Sequence, residues 1–527
     1  MLLFEIVIAL LLVGAVLALS ADRIGAPYPA LLALAGAALA LVPGTPQVAL
    51  DPALALALFV APVLLDAAYD ASPRDLRQNL RAVGSLAITA VLVTIVVVAA
   101  VAHRIVPAMS WAAAITLGAI VAPPDASAAS AVLRKLKPPH RVLVILEGES
   151  LFNDATALIV YRIAVGAALT GTIAGWTVIP MLLLTAGGGA VAGFLAARLF
   201  MRIAVRVTDI PISVLLQFIS TFAVWIVADR VGVSAIVTMV VYAMTIARTA
   251  PAWIGARRRI ASYAVWEVAV LVLNVLAFVL IGLQLRGIIT RFAATEWRSA
   301  ALCAAATCIT VIAVRIVWVM GATLIIRARA RRSASAAAPR LGAGVVISWS
   351  GMRGIVTLAT ALALVEGFPS RDLIVLSAFC VVLATLVLQG LTLRPLMSLL
   401  GLEDDGSVER ELLLARTETS RAAIRALDGE ADTPYARTLK REYETRIRWG
   451  EEQVQLAENA AGTAALQRRA VSAQRETLMR LRAEDVIGDD AFHIMEEEID
   501  LLELSADPRV RPDTEVNEGE RGAADRG

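Results

Sequence analysis

Cysteine and histidine are nearly missing from this chain, three of each in 527 residues. Cys303, Cys308 and Cys380 fall in apolar segments, with no CxxC pair and no histidine beside them. That excludes a disulfide framework and a thiolate metal centre, and leaves three small buried hydrophobes. His103 and His140 lie in loops and make poor metal ligands. Charge is scarce too, at 18% of residues, and it is concentrated late. With 58% hydrophobic residues and a mean hydropathy of +0.73, a water-soluble fold of this length could not cover its apolar side chains. No nucleophile–base pair and no metal cluster stands out, so an enzyme is not expected, and no cofactor or nucleic-acid partner is implied. The first twenty residues are apolar but lack a basic leader and a small-x-small cleavage site. They read as a first membrane helix rather than a removed signal.

What the sequence does have is apolar windows of bilayer length, about 20 residues each. Thirteen are expected, at 2–19, 28–43, 52–68, 83–102, 111–133, 142–165, 176–199, 212–228, 232–247, 265–285, 299–320, 342–364 and 372–393. The predicted fold is an all-α polytopic membrane protein. With the C-terminus in the cytoplasm, the inner loops hold Arg23; Arg74, Arg77 and Arg81; Arg134, Lys135, Lys137 and Arg141; Arg198, Arg202 and Arg206; Arg248 and Arg257 to Arg259; and Arg327, Arg329, Arg331, Arg332 and Arg340. The outer loops hold only Arg104, Arg230, Arg286, Arg291, Arg298 and Arg371. This asymmetry predicts the N-terminus outside and the C-terminus inside. Three regions follow: a membrane domain over 1–400, a cytoplasmic helical domain over 401–505 and a disordered tail over 506–527. In the second, Met495, Ile499 and Leu502 form an apolar stripe; the third has almost no apolar content.

Polar residues in the membrane windows carry the chemistry. The sixth window holds Glu147-Gly148-Glu149-Ser150-Leu151-Phe152-Asn153-Asp154. A charge near the bilayer centre costs roughly 2.5–3.5 kcal/mol on insertion scales, so such residues normally face a partner, a water-filled cavity or a transported ion. Ser150 and Asp154 are four apart and share a helix face. Ser150, Asn153 and Asp154 offer hard oxygens suited to a small alkali cation, and a carboxylate can hold a proton instead. Glu149 needs a partner against burial, and Arg353 is the expected one. In the fifth window, Pro123 and Pro124 remove two backbone donors and break the helix beside Asp125. In the twelfth, Gly351 and Gly354 flank Arg353 at a second weak point. Breaks seven windows apart predict two inverted six-helix repeats, windows one to six and eight to thirteen. Asp66, at the end of the third window, either supports the ion site or makes a local pair with Asp70. A cation channel or another secondary transporter on the same fold is the alternative.

At these residues the chain resembles the monovalent cation:proton antiporter family, its NhaP-type and sodium/proton exchanger branch. Leu146 to Ala157 looks like that family's most distinctive signature, and Pro123-Pro124-Asp125 corresponds to its Thr-Asp-Pro break. Gly351-Met352-Arg353-Gly354 is similar to its Gly-x-Arg-Gly element, and Pro62 to Ala67 to a Pro-Pro-x-x-x-Glu segment. The resemblance spans roughly residues 1–400. It implies that Asp154 is the cation/proton carboxylate, that Asn153, Ser150 and Asp125 support it, and that Glu149 pairs with Arg353. It further implies a homodimer in the cell membrane, Na⁺, Li⁺ or K⁺ exchanged for H⁺, and electroneutral exchange from the Asn-Asp pair. Pro124 stands where the family usually has Thr, and Asp66 where it has Glu.

Overall fold

The computed structural model describes residues 2–24, 27–42, 52–125, 129–130, 133, 136, 138–171, 178–289, 297–332, 340–402, 404–428, 433–452, 470–481, 484, 495 and 498–501. Every regular element among them is helical. In an apolar solvent each backbone N–H and C=O must be satisfied within its own segment, which selects helices for runs this hydrophobic. The chain divides into two compact units, Met1–Asp405 and Gly406–Gly527.

The first unit contains α1 (Leu2–Ile24), α2 (Tyr28–Leu41), α3 (52–70), α4 (Pro73–Ile105), α5 (Trp111–Val121) and α6 (His140–Thr170). There follow α7 (Val178–Ala204), α8 (Ile210–Val231), α9 (Ala235–Trp253), α10 (Ala256–Ile289) and α11 (Trp297–Arg332), then α12 (Leu341–Trp349), α13 (Ile355–Leu362) and α14 (Arg371–Leu400). Seven of these, α4, α7, α8, α9, α10, α11 and α14, are long and apolar enough to cross a membrane. Local chemistry sets many ends. Ser72, Ser110, Asp209 and Ser234 accept from backbone amides as N-caps of α4, α5, α8 and α9. Gly171 and Gly232 close α6 and α8 at φ 70° and 82°, a left-handed conformation that favours glycine.

Small residues let helices meet backbone to backbone, the way helices associate without a hydrophobic drive in lipid. A Cβ on Gly282 of α10 would stand 2.4 Å from the Ala33 carbonyl oxygen of α2. One on Gly118 of α5 would stand 2.6 Å from the Ile95 carbonyl oxygen of α4. Among the described residues three helices carry π-helical stretches, Leu56–Val60 in α3, Ser85–Ala90 in α4 and Thr385–Gln389 in α14. Such insertions recur at functional sites because they redirect one turn of side chains.

The second unit holds α15 (Ser407–Leu427) and α16 (Pro434–Glu452). A further helical stretch covers 470–481. Ile499 of the expected stripe is buried with Val471 and Leu478, whereas Met495 is exposed. Leu502 and the 506–527 tail lie outside the described residues.

Candidate functional site

The site begins where α5 stops. Pro123 and Pro124 have no N–H to give back to the helix, so α5 ends at Val121. In an unbroken helix the amide of Asp125 would donate to the Val121 carbonyl. Here it donates to the carbonyl oxygen of Met352, at 2.7 Å. Met352 lies in the non-helical stretch between α12, which ends at Trp349, and α13, which starts at Ile355. The two interruptions therefore touch through a backbone hydrogen bond.

Each interruption orphans a carbonyl, and a buried arginine takes it up. Arg353 donates from Nε to Val121 O at 3.0 Å and from Nη2 to Ala122 O at 3.1 Å, with a further bond from Nη1 to Gly351 O. Its own amide donates to Thr385 Oγ1 at 3.0 Å, in the π-helical stretch of α14. Arg315, from α11, donates from Nε and Nη2 to Ile347 O at 3.2 and 3.0 Å, at the end of α12. A cation at each C-terminus also opposes the negative end of the helix dipole.

Arg315 holds Glu149 as well. Its Nη1 reaches Oε1 at 2.6 Å and its Nη2 reaches Oε2 at 2.9 Å, a bidentate pair with both side chains at most 5% exposed. This corrects the expected Glu149–Arg353 ion pair. The physical reason is donor allocation: the Arg353 fork is spent on carbonyls left by the break in α5, while Arg315 presents a planar edge to the carboxylate. Arg353 remains close, for Glu149, Arg315, Arg353, Ala122 and Pro124 line one cavity of about 10 Å³ with Leu86, Ala90, Val91, Thr94, Trp318 and Val319.

The glycines at the second interruption make room for side chains. A Cβ on Gly354 would fall 1.7 Å from Asp125 Oδ2, and one on Gly351 would fall 2.3 Å from Arg315 Cδ. Neither has positive φ, so space rather than backbone strain requires glycine here.

From α6, Asn153 donates through Nδ2 to the Pro124 carbonyl at 2.7 Å. Its Oδ1 is buried without a hydrogen-bond partner among the described residues. Asp154 is buried beside it, no hydrogen bond or ion pair engages it among the described residues, and the charge of Asp125 reaches it. Ser150 lies one turn earlier on α6, partly exposed. Thus α6 aims Asn153 at the first interruption, and Asp125 joins the first interruption to the second. The arrangement offers two carboxylates and an amide oxygen, donors of the kind that suit a hard cation. Asp66 lies on α3, partly exposed. Its charge, like that of Asp125, reaches Tyr28 at the start of α2.

Sequence reasoning did not place Arg315 beside Glu149 or Thr385 beside Arg353. The first carried a signal: a second arginine deep in an apolar window needs a partner as much as Glu149 does.

These features define a multi-pass helical membrane protein whose buried carboxylates face two helix ends locked together. The transmembrane sodium/hydrogen exchanger profile matches residues 7–399. An uncharacterised Na⁺/H⁺ exchanger of Mycobacterium tuberculosis is 31% identical over 95% of this chain and 96% of its own length. A sodium, potassium, lithium and rubidium/H⁺ antiporter of Bacillus pumilus is 31% identical over 71% of this chain and 58% of its own. The solved sodium proton antiporter of Methanocaldococcus jannaschii superposes with a TM-score of 0.60 at 17% identity, covering 76% of this chain and 98% of that one, a likeness of fold. The chain belongs to the sodium/hydrogen exchanger family.

Proposed function

We propose that this protein exchanges a monovalent cation for H⁺ across the cell membrane, with Asp154 carrying either the cation or the proton. The observation that carries this is the setting of Asp154: a buried carboxylate with no fixed countercharge among the described residues, next to Asn153 and in reach of Asp125. An uncompensated buried charge is costly. The carboxylate is therefore occupied in turn by a proton or a cation, and that alternation is exchange. Asn153, Ser150, Asp125 and Asp66 supply the remaining oxygens. Glu149 with Arg315, and Arg353 with its carbonyls, hold the frame.

In this account thirteen spans form two inverted repeats, with α5 and α12–α13 as the interrupted helices. The N-terminus is outside and the C-terminus cytoplasmic, as the loop arginines favour. A homodimer working by alternating access, with electroneutral stoichiometry, follows from the family resemblance. Na⁺ is the first candidate, with Li⁺ and K⁺ next. The unit from Gly406 is cytoplasmic and modulatory. The test is proton flux in proteoliposomes of purified protein, read by a pH-sensitive dye on adding Na⁺, Li⁺ or K⁺. Cation-dependent proton movement against an imposed gradient supports antiport, and cation flux without coupled proton movement contradicts it.

A further inference from the structure

Tyr28 and Asn274 belong to none of the motifs above, yet the fold joins them by a hydrogen bond, and the charges of Asp125 and Asp66 reach Tyr28. Tyr28 opens α2 and Asn274 lies midway along α10, the two helices that Gly36 and Gly282 draw into backbone contact. Asn274 donates through Nδ2 to the Tyr28 hydroxyl at 3.3 Å. Its other end, Oδ1, is buried and has no hydrogen-bond partner among the described residues, in a residue 5% exposed. A buried amide oxygen is costly to leave unpaired, so such atoms call for an explanation in function.

The surroundings give one. Pro27, just before Tyr28, lies against Gly390 of α14, where a Cβ would meet Pro27 Cγ at 2.6 Å and Met352 Sδ at 3.4 Å. Met352 is the residue whose carbonyl holds the Asp125 amide. Helix α10 also packs on α3, which carries Asp66, and on α13, which starts just past Gly354. Asp125 and Asp66 both act on Tyr28 through their charge. Tyr28 thus lies within reach of the charge of both the α3 carboxylate and the carboxylate of the first interruption. The pair offers oxygen without charge. Neutral oxygens suit a passing cation: they replace part of its water but bind it weakly enough to let it go.

We propose that Tyr28 and Asn274 form a neutral oxygen step on the cation's approach to the site of Asp66, Asp125 and Asp154. The Asn274 Oδ1 and the Tyr28 hydroxyl oxygen contact the partly dehydrated ion. The Nδ2 bond to Tyr28 fixes the amide so that Oδ1 faces the route. This rests on the antiport reading above, and it makes the pair a determinant of which alkali cation is preferred. The competing account is a purely structural hydrogen bond between α2 and α10.

The experiment compares full-length wild type, Asn274→Leu and Tyr28→Phe in proteoliposomes, with proton flux measured over graded Na⁺, Li⁺ and K⁺. The step predicts that Asn274→Leu raises the cation KM about tenfold, the equivalent of about 1.4 kcal/mol of lost binding, with kcat little changed. Tyr28→Phe keeps the ring, raises KM by less and changes the ratio of the Na⁺ and K⁺ values. A structural bond predicts lower thermal stability and reduced kcat for all cations alike, with KM unchanged. That outcome overturns the step. Should Asn274→Leu not fold, Tyr28→Phe decides alone, and an unchanged KM in the folded variant overturns the proposal. Thermal stabilisation on adding Na⁺ reads binding apart from transport. If wild type shows no coupled flux but Na⁺ stabilises it more than the variants, the antiport reading fails and the step stands. Equal stabilisation of all three overturns the step.

Discussion

Asp125 and Met352 join the two helix interruptions through one bond, from the backbone N–H of the first to the carbonyl oxygen of the second at 2.7 Å. Everything else at the site is arranged around that junction. Arg353, the next residue, turns back to cap α5, and Gly354 leaves the space that the Asp125 carboxylate fills. The carboxylate of the first interruption and the backbone of the second therefore cannot move independently.

Gly354→Ala tests that coupling. The backbone at Gly354 has φ −132°, which alanine accepts, so the new methyl acts only by contact, 1.7 Å from Asp125 Oδ2. Asp125 must shift. The expected outcome is a folded protein destabilised by about 1–3 kcal/mol, with exchange lost or strongly reduced. Melting curves and flux on the same preparation check it.

Arg315→Met should be among the most destabilising single changes, about 3–5 kcal/mol, because it strands Glu149 as a lone buried charge. Adding Glu149→Leu removes that charge and should recover much of the loss. Thermal unfolding of the four proteins of this cycle measures it, and strict additivity would speak against the pair.

Arg353 behaves differently. Arg353→Lys places a point charge where a fork spans Val121 O and Ala122 O, and leaves at least one carbonyl short, at about 1–3 kcal/mol. Glu149→Leu should not rescue Arg353→Ala. Rescue in melting temperature would return Glu149 to Arg353 as its partner.

On α4, ahead of its long apolar run, Asp75 accepts from His140 Nε2 at 3.2 Å and from Arg74 Nε at 3.1 Å. This ties α4 to the first residue of α6. Burial pushes the Asp75 carboxyl up, but hydrogen bonds with His140, Arg74 and Ser72 together hold it below the usual range. A depressed folded value means that the stabilisation is present above the unfolded aspartate value of about 3.9 and is lost as pH falls through the lower folded one. Asp75→Asn should cost about 1–2 kcal/mol at neutral pH, and its gap to wild type should shrink as pH drops below about 4. Melting temperatures across pH test this; a gap that widens in acid contradicts it.

Much of the candidate site is legible in the amino-acid sequence, because membrane burial makes polar residues conspicuous. Asp154, Asn153 and Asp125 stand out on cost alone, and two prolines in succession mark the end of α5 through their missing N–H groups. The partner of Glu149 cannot be read the same way. Arg315 and Arg353 lie 166 and 204 positions from it and both sit in apolar windows, so sequence gives no distance to choose by. The choice depends on how many carbonyls each arginine must also satisfy, which is a property of the folded junction. Tyr28 and Asn274 are silent for another reason: a tyrosine at a helix start and one asparagine in a long apolar helix are ordinary until packing joins them by a hydrogen bond.

The central claim is that Asp154 carries both cation and proton, and Asp154→Asn tests it most directly. The amide keeps the shape, so the variant should insert and melt like wild type, but it can neither release a proton nor neutralise a cation. Proton flux in proteoliposomes on adding Na⁺, Li⁺ or K⁺, counted per inserted molecule, should fall to the level of empty vesicles for every cation. Appreciable cation-coupled proton flux in purified Asp154→Asn protein would contradict the account.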